Sequence, residues 1–353
     1  MAVHQFAEKL IQWYRTNQRE LPWRQTADPY AIWLSETILQ QTRVAQGLPY
    51  YEKFLFHYPN LKTLAQAEDD HVMKLWQGLG YYSRARNMLA TARYIQNELK
   101  GEWPTTSREL QKLKGIGPYT SAAIASFAFG ESVPVLDGNV YRVVSRYLDI
   151  ESDIAQARGK KDINEGLKAI FDPSHAAEFN QAIMDLGATV CTPKNPTCEE
   201  CPVADSCSAL RSNTVAQRPV KTKKTKVTNR YLEIFIIQQD GKVGFLQRPK
   251  TGVWSNLWTF PFLEFESKMT LREVLETSDF SKLTGGFPFT VKRNYNAGVH
   301  LLSHRKLHLN YWEIELQSGA SENDLPYAMI SWDELHTFAV PKPIEIFLKK
   351  RGI

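Results

Sequence analysis

Residues 110–120, with the sequence LQKLKGIGPYT, decide how the first half of this chain folds. Gly115 and Gly117 let the backbone turn tightly after one helix, and Pro118 is well placed at the first position of the next. Backbone N–H groups that face outward at such a helix N-terminus bind anions, including phosphate. Most Gly-x-Gly-Pro segments are simply turns, so the stretch alone predicts a helical hairpin, and other motifs must support a phosphate site.

The sequence on either side of this hairpin changes in pattern along the chain. Up to about residue 190, Pro and Gly punctuate consecutive helical runs, for example from Asp28-Pro29 to Gly47 and from Pro173 to Gly187. In the second half, residues 231–237 are rich in residues that favour β-strands, and Asp240-Gly241 is typical of a β-hairpin turn. The pattern therefore predicts an all-α half followed by an α+β half.

The second half also shows alternation and short helices. Apolar residues at 312, 314 and 316 alternate with polar ones, which predicts a strand with one buried face. Short helices are expected at 271–276 and 342–350. We predict a helical domain at residues 1–212, a basic linker at 213–229 and an α+β domain at 230–353.

Composition agrees with two soluble domains. The chain has 353 residues, of which 43% are hydrophobic, enough for two cores. The net charge of +5 suits an anionic partner, although many proteins are equally basic. Between Ser206 and Leu232 there is no acidic residue, which predicts a solvated linker able to contact phosphates; its basic residues are Arg211, Arg218, Lys221, Lys223, Lys224, Lys226 and Arg230. No apolar run is long enough to span a bilayer, so a cytoplasmic protein without membrane contact is expected.

All the cysteines of the chain lie in one short segment: Cys191, Cys198, Cys201 and Cys207. Such a cluster in a cytosolic protein favours a metal centre over disulfides. Zinc is the common occupant of four-cysteine sites, but its loops usually show two close C-x2–4-C pairs. Here the gaps are unequal and only Cys198 and Cys201 are close, a spacing that the separated iron corners of a cubane cluster tolerate.

Two carboxylates stand out in the helical half. Asp137 precedes a helix with apolar residues at the 3.6 period, so it is at least an N-cap, and the helix N-terminus favours its ionised form. Glu36 lies in a helical run with Ile32 and Leu39 beside it. Most helical glutamates are exposed, but apolar neighbours raise the pKa of a carboxyl and keep it protonated. One carboxylic acid and one carboxylate are what glycosidic-bond hydrolysis needs.

These motifs together resemble a known superfamily. The hairpin at 110–120 followed by Val135-Leu136-Asp137-Gly138-Asn139-Val140 resembles the helix-hairpin-helix and Gly/Pro-Asp signature of base-excision DNA glycosylases. The cysteine spacing is similar to that of endonuclease III and its relatives, where it holds a [4Fe-4S] cluster. Residues 33–42, WLSETILQQT, closely match the MutY-type adenine glycosylases. The resemblance covers nearly the whole chain and is more specific in its first half.

The resemblance implies a role for particular residues in this sequence. It implies that Glu36 protonates adenine, that Asp137 is the second catalytic residue and that Asn139 orients the sugar or water. Tyr119 stands where bifunctional relatives carry a lysine, which implies a monofunctional enzyme that uses water. The remaining implied contacts are Gly115, Gly117, Gln41 and Tyr81 with DNA, Trp23, Arg24 and Gln181 with the adenine, and all four cysteines with the cluster.

The second half resembles a degenerate Nudix fold. Residues 252–261, GVWSNLWTFP, are similar to the entrance of that fold. Four residues sit at offsets that match its metal helix, namely Glu264, Arg272, Glu273 and Glu276, but Trp258 replaces a glycine and Thr277 a glutamate. Alternatively, these are exposed charges on an amphipathic helix. In MutY-type proteins a Phe-Ser-His loop of this domain contacts 8-oxoguanine, and this chain has Leu302-Ser303-His304 in its place.

The predicted function is hydrolysis of adenine mispaired with 8-oxoguanine or guanine in double-stranded DNA. Extrusion of the base is required, because the reacting bond is inaccessible inside a stacked duplex. We expect a monomer of bacterial type, associated with the nucleoid. One alternative is a pyrimidine glycosylase with lyase activity, which Tyr119 argues against. A second is a non-catalytic iron–sulfur DNA-binding protein, which the pair of carboxylates argues against. A third is nucleotide hydrolysis by the second domain.

Overall fold

The computed structural model describes residues 2–222, 227–317 and 322–353. The chain forms two compact units. The first contains residues 1–67 and 83–223, and the second contains residues 68–82 and 224–353. The α-helical first half and the α+β second half are as predicted, but no pattern in the sequence indicates that residues 68–82 belong to the second unit.

The first unit is helical, and a large apolar cluster joins its first helix to its last long helices. Apolar residues of the first helix, of the helices that flank Asp137 and of the last long helices pack together in it. The helices of the helical half, including the one in residues 68–82, are α1 (Ala2–Asn17), α2 (Pro29–Leu39), α3 (Val44–His57), α4 (Leu61–Ala65), α5 (Asp69–Leu75), α6 (Ser83–Asn97), α7 (Ser107–Leu110), α8 (Pro118–Phe129), α9 (Gly138–Tyr147), α10 (Ala157–Ile170), α11 (Ala176–Thr189) and α12 (Ser208–Arg211).

The helical run predicted from Asp28 to Gly47 is two helices, α2 and α3. The break comes from a tertiary contact. The buried guanidinium of Arg84 in α6 donates from Nη1 to the carbonyls of Thr37, Ile38 and Gln40, at 3.0, 2.8 and 2.7 Å. It therefore caps α2 at its C-terminal end. Gln41 follows with φ of 59°, which turns the chain before α3 begins.

The second unit contains a mixed sheet with helices on both faces. Strand β1 is parallel to β6 and antiparallel to β2 and β4, while β5 pairs with β6, and both β3 and β7 pair with β2. Two apolar clusters lie on the two faces. The elements are β1 (Thr228–Gln239), β2 (Lys242–Gln247), β3 (Trp258–Thr259), β4 (Phe262–Phe265), α13 (Leu271–Leu275), α14 (Ser278–Leu283), β5 (Phe289–Leu301), β6 (Arg305–Leu316), β7 (Ala328–Ser331) and α15 (Lys342–Lys350).

Three local patterns in the second half have the structure that the sequence predicts. The Asp240-Gly241 turn joins β1 to β2 and has positive φ at both residues, 49° and 77°. In the second half of β6, buried Trp312, Ile314 and Leu316 alternate with less buried residues as the sequence pattern predicts, although Tyr311, next to Trp312, is buried as well. The helices expected at 271–276 and 342–350 are α13 and α15.

The sequence suggested that the basic segment after α12 is a solvated linker, but the structure shows that part of it packs on the first unit. Arg218 is buried and pairs with Asp149 at 2.8 Å and with Glu151 at 2.9 Å. The N–H of Ile154 donates to the carbonyl of Val220 at 3.0 Å. The chain is therefore held on the first unit up to about residue 222. Lys223, Lys224 and Lys226 lie outside the described residues.

Within the described ranges, no helix combines the length and the apolar character that crossing a bilayer requires.

Candidate active site

Glu36 lies in the middle of α2, and its side chain is buried. The helix begins at Pro29 because the preceding Asp28 is its N-cap and accepts a hydrogen bond from the N–H of Tyr30 at 3.0 Å. Proline is also favoured at the first position of a helix. Since nearly every residue of α2 is buried, the helix places a carboxyl inside the protein rather than on its surface. Glu36 is thus not the ordinary exposed glutamate that the sequence left open.

Asp137 is the N-cap of α9, as the sequence predicted. Its Oδ1 accepts from the N–H of Val140 at 2.8 Å, and its Oδ2 accepts from Nδ2 of Asn139 at 2.7 Å. Asn139 is held in turn by Arg142, whose Nη2 donates to its Oδ1 at 2.9 Å. The carboxylate therefore has a fixed orientation at the start of the helix.

The two carboxyls differ in how their charges are stabilised. Burial raises the pKa of Glu36 to about 7, while a hydrogen bond from Tyr119 opposes the rise and the charge of Asp137 adds to it. Burial also raises the pKa of Asp137, although the sequence suggested that the helix N-terminus would dominate. Hydrogen bonds from Val140 and Asn139 offset part of this rise. Glu36 lacks such backbone donors, so it is the better placed of the two to hold a proton at neutral pH.

Both carboxyls open into one cavity of about 1100 Å³ in the first unit. The structure brings ten of the predicted site residues together in its lining. They are Trp23, Arg24, Glu36, Gln41, Gly115, Gly117, Tyr119, Asp137, Asn139 and Gln181. A cavity of this size accommodates a nucleobase with its sugar.

One wall of this cavity contains an ion-paired cluster that the sequence reading missed. Asp185 is fully buried and accepts from both terminal nitrogens of Arg24, each at 2.6 Å. It also accepts from Arg19 at 2.5 Å. Burial opposes the charge of Asp185, yet the hydrogen bonds from the two arginines keep its pKa below the usual value. No local signal could have shown this pairing, since Arg24 and Asp185 are 161 residues apart.

The hairpin at 110–120 has the geometry expected for a phosphate contact. Gly115 has φ of 80°, and a Cβ there would stand 2.6 Å from the Cβ of Asn87 in α6. The hydroxyl of Thr91, also in α6, donates to the carbonyl of Lys114 at 2.7 Å. Gly117 is the N-cap of α8, and Pro118 is its first residue. The turn is therefore fixed against α6, with the N-terminus of α8 facing outward.

The remaining predicted DNA contacts lie in the second unit. The Tyr81 hydroxyl and the Ser303 hydroxyl are hydrogen-bonded, and both side chains are exposed. His304 is exposed beside them. Leu302, also predicted to contact DNA, instead packs partly buried against the core of the second unit. The exposed apolar side chain at this place is that of Leu301, which is 67% exposed.

The four cysteines line a small common cavity with apolar neighbours. Burial, partly offset by a backbone hydrogen bond, raises the pKa of Cys201 to about 12, and the nearby Cys191, Cys207 and Cys198 raise it further. Four such sulfurs become thiolates together only when cationic metal offsets their charge, so the donor set fits an iron–sulfur cluster. Arg146 of α9 donates to Sγ of Cys191 at 3.4 Å, which suits a thiolate there.

A second arginine of α9 joins the cysteine loop to the carboxylate region. Nε of Arg142 donates to the carbonyl of Cys191 at 2.6 Å, while its Nη2 contacts the carbonyl of Gly187 at 2.5 Å as well as Asn139. Arg142 and Arg146 are one helical turn apart, so both face the loop. The start of α9, with Asp137, is thereby fixed to the cysteine loop.

The charged residues at Nudix-like offsets serve local structure. Glu273 forms a capping box with Thr270 at the start of α13, and Arg272 pairs with Glu276 at 2.8 Å. Glu264 pairs with Arg230 at 3.2 Å. These contacts favour the alternative interpretation, in which the charged residues are ordinary surface charges that stabilise a short helix and a strand.

Comparison with known proteins agrees with this architecture. Residues 34–170 match the HhH-GPD superfamily of base excision DNA repair proteins. Residues 191–207 match the iron-sulfur binding domain of endonuclease III, and residues 233–350 match the NUDIX domain. The fold and the site together define a helix-hairpin-helix DNA glycosylase with a Nudix-like second domain.

Individual relatives narrow the family. The chain is 32% identical to adenine DNA glycosylase of Homo sapiens, covering 96% of this chain and 72% of the relative. It is 30% identical to adenine DNA glycosylase of Buchnera aphidicola subsp. Schizaphis graminum, covering 99% of each. A solved thermostable thymine-DNA glycosylase superposes with a TM-score of 0.54 at 27% identity, covering 59% of this chain and 95% of that one. The chain belongs to the adenine DNA glycosylase family.

Membership of this family settles the class of activity. The protein is an adenine DNA glycosylase of base excision repair, with DNA as its partner. Its cysteine loop carries a [4Fe-4S] cluster. This is the class that the sequence motifs predicted.

Proposed function

We propose that this enzyme is monofunctional, extrudes adenine from the duplex and hydrolyses its N-glycosidic bond when the adenine lies opposite 8-oxoguanine or guanine. The observation that carries this proposal is the pair of unlike carboxyls, Glu36 and Asp137, in one cavity. One chain supplies every residue that lines this cavity, so a monomer contains all the groups that the proposed reaction uses.

Glu36 is the acid of the reaction. Burial raises its pKa to about 7, so about half of the molecules carry the proton at pH 7, and this form gives it to a ring nitrogen of the extruded adenine. The glycosidic bond then breaks, and its electron pair leaves with the neutral base. Tyr119, whose pKa burial raises well above its ordinary value, remains a neutral phenol beside Glu36 and offers no amine nucleophile.

Asp137 stabilises the sugar cation that remains. Its carboxylate is held by Val140 and Asn139, so it is in place before charge develops on the sugar. Water then adds to the anomeric carbon and loses a proton to a carboxylate of the pair. The products are free adenine and an abasic site.

The cysteine loop supports this arrangement without taking part in bond cleavage. Cys191, Cys198, Cys201 and Cys207 would hold the cluster, which supplies a covalent cross-link of the loop through its metal–sulfur bonds. Through the hydrogen bonds of Arg142, the loop fixes the orientation of Asn139.

DNA is held and read by several groups. The N-terminus of α8 at Gly117 binds a backbone phosphate. Gln41, at a positive φ, occupies space in the duplex that the extruded base leaves. The opposite base is read by Ser303 and His304 with Tyr81, and the hydrogen bond between Tyr81 and Ser303 supports this shared role.

Base release from defined mismatches tests the proposal. Glu36→Gln and Asp137→Asn should each abolish adenine release in single turnover while duplex binding is retained, because neither change alters shape much. Normal release by either variant would contradict the assigned roles. A panel of duplexes with adenine opposite each base tests which mispair is the substrate. If the enzyme released only a pyrimidine base from DNA and never adenine, the adenine assignment would be refuted.

Reading of the opposite base is tested in the full chain. Ser303→Ala should narrow the preference for 8-oxoguanine over guanine by about 5-fold or more, since a base-edge hydrogen bond is worth about 1–3 kcal/mol. Tyr81→Phe keeps the ring but loses the hydroxyl, and it should have a similar, smaller effect. An unchanged preference in both variants would place recognition elsewhere.

A further inference from the structure

Tyr14 makes one contact that the proposed mechanism does not use. It lies in α1 and is only 4% exposed. Its hydroxyl donates to Oε1 of Gln181 at 2.5 Å, across 167 residues of sequence. Gln181 lines the base cavity, whereas Tyr14 is buried and is not among the residues that line it.

This contact determines which end of the Gln181 amide faces the cavity. A glutamine amide carries an acceptor oxygen and a two-proton donor nitrogen, and the two orientations offer a ligand opposite chemistry. With Oε1 bound by Tyr14, the donor nitrogen is left for the cavity. Among the described residues, no protein group accepts a hydrogen bond from that nitrogen.

The surroundings of Tyr14 leave it free to act as a donor to Gln181. Burial raises the pKa of Tyr14, so its hydroxyl keeps its proton. The neighbouring guanidinium of Arg24, 5.6 Å from the ring centre, directs both terminal nitrogens to Asp185. Arg24 therefore does not replace Tyr14 as the donor to Gln181.

We propose that Tyr14 is a positioning residue that fixes the amide of Gln181, so that the cavity selects a base with an amine next to a ring acceptor. Nε2 then donates to the ring nitrogen, and the second lone pair of Oε1 accepts from the amine. Adenine presents this pair of groups at N7 and N6, and a glutamine amide matches them. This inference rests on the proposed adenine site.

The test is the dependence of excision on the amine. Wild type and Tyr14→Phe are compared in single turnover on duplexes with adenine or unsubstituted purine, which lacks the amine, opposite 8-oxoguanine. Tyr14→Phe should slow adenine excision about 3- to 10-fold, the effect of one hydrogen bond, and lower the adenine-to-purine rate ratio. Duplex affinity should be unchanged.

Two further variants separate positioning from packing. In a Gln181→Met background, Tyr14→Phe should have no further effect on excision, because the group that it positions is gone. Tyr327→Phe is the matched control, since it loses a tyrosine hydrogen bond of 2.7 Å to the carbonyl of Leu283 in the second unit. Its rate ratio should stay at the wild-type value.

The outcomes distinguish this inference from the proposed function. If wild type releases adenine but Tyr14→Phe leaves the adenine-to-purine ratio unchanged, the positioning role is wrong and the adenine site stands. An equal slowing by Tyr14→Phe in the Gln181→Met background would show that Tyr14 only packs. A wild-type enzyme that releases no adenine from any mispair would overturn both.

Discussion

Gly187 of α11 lies directly against Asn139 at the start of α9. A Cβ on Gly187 would stand 2.6 Å from the Cβ of Asn139 and 3.1 Å from its Cα. Real Cβ atoms do not approach so closely, so only glycine allows α11 to pack here. Because Asn139 donates to Asp137, this packing sets the position of a proposed catalytic carboxylate.

Gly187→Ala should therefore impair base release more than it impairs folding. The added methyl group pushes the backbone of Asn139, and a shift of about 1 Å near reacting groups costs up to roughly 100-fold in rate. We expect single-turnover adenine release to fall about 10-fold or more, measured on a pre-bound duplex.

Gly166→Ala provides the control for that substitution. A Cβ at Gly166 would meet the side-chain ends of Leu148 at 2.6 Å and Val144 at 3.3 Å, which lie away from the cavity. We expect release within about two-fold of wild type, since the site geometry is kept. Equal losses in the two variants would show that the effect of Gly187→Ala is one of general stability.

The rate of base release should fall as pH rises through about 7. Glu36 must be protonated to act as the acid, and its pKa is raised to about 7 by burial. The measurement is the single-turnover rate between pH 5.5 and 9 at constant ionic strength. A rate independent of pH over this range would mean that another group supplies the proton.

Glu36 should also make the protein less stable as pH rises. The unfolded carboxyl ionises near its ordinary pKa of 4.5, whereas the folded one keeps its proton to about 7. Between these values the folded state binds more protons, so stability falls with pH. At pH 8, Glu36→Gln should be more stable than wild type by about 3.5 kcal/mol in denaturant-induced unfolding, because the two states differ by about 2.5 pKa units and one unit is worth about 1.4 kcal/mol. At pH 4 this advantage should be absent.

Tyr119 should prevent covalent trapping. The unmodified enzyme should give no adduct with DNA under borohydride, because a Schiff base needs an amine at the sugar. Tyr119→Lys places an amine in the cavity and should give a trapped band on a gel. Strong trapping by the unmodified enzyme would defeat the monofunctional assignment.

Arg142→Lys should separate cluster retention from activity. The guanidinium of Arg142 donates to the carbonyls of Cys191 and Gly187 and to Asn139 at the same time. Lysine keeps the positive charge, but its single ammonium group cannot bind all three. We expect iron content and colour close to wild type, with base release slowed about 10-fold, the cost of leaving one buried polar group unpaired. Loss of iron in step with activity would show that Arg142 mainly supports the loop.

Features that are local in sequence could be predicted from it, and features made by distant residues could not. The turn at Gly115 and Gly117 and the spacing of the cysteines depend on neighbouring residues, so they were visible in the sequence. The contacts of Tyr14 with Gln181 and of Asp185 with Arg24 join segments more than 160 residues apart. Neither Tyr14 nor Asp185 belongs to a motif that the sequence shows.

Tertiary contacts also altered boundaries that periodicity alone suggested. The helical pattern continues to Gly47, yet α2 ends at Leu39, where Arg84 binds its last carbonyls. Likewise the basic segment looked solvated, but Asp149 and Glu151 bury Arg218 on the first unit. A charge count cannot show which basic residue has a partner.

The contact of Arg84 with the end of α2 has a consequence for motion. The last turn of a helix usually frays, because its carbonyls lack partners and open and close rapidly. Here one guanidinium holds three carbonyls between Glu36 and Gln41. Gln41, which we propose enters the duplex, can therefore change rotamer without unwinding the helix that carries Glu36, the proposed acid. The contact of Arg84 keeps movement of the one residue from reaching the other, five positions away along the chain.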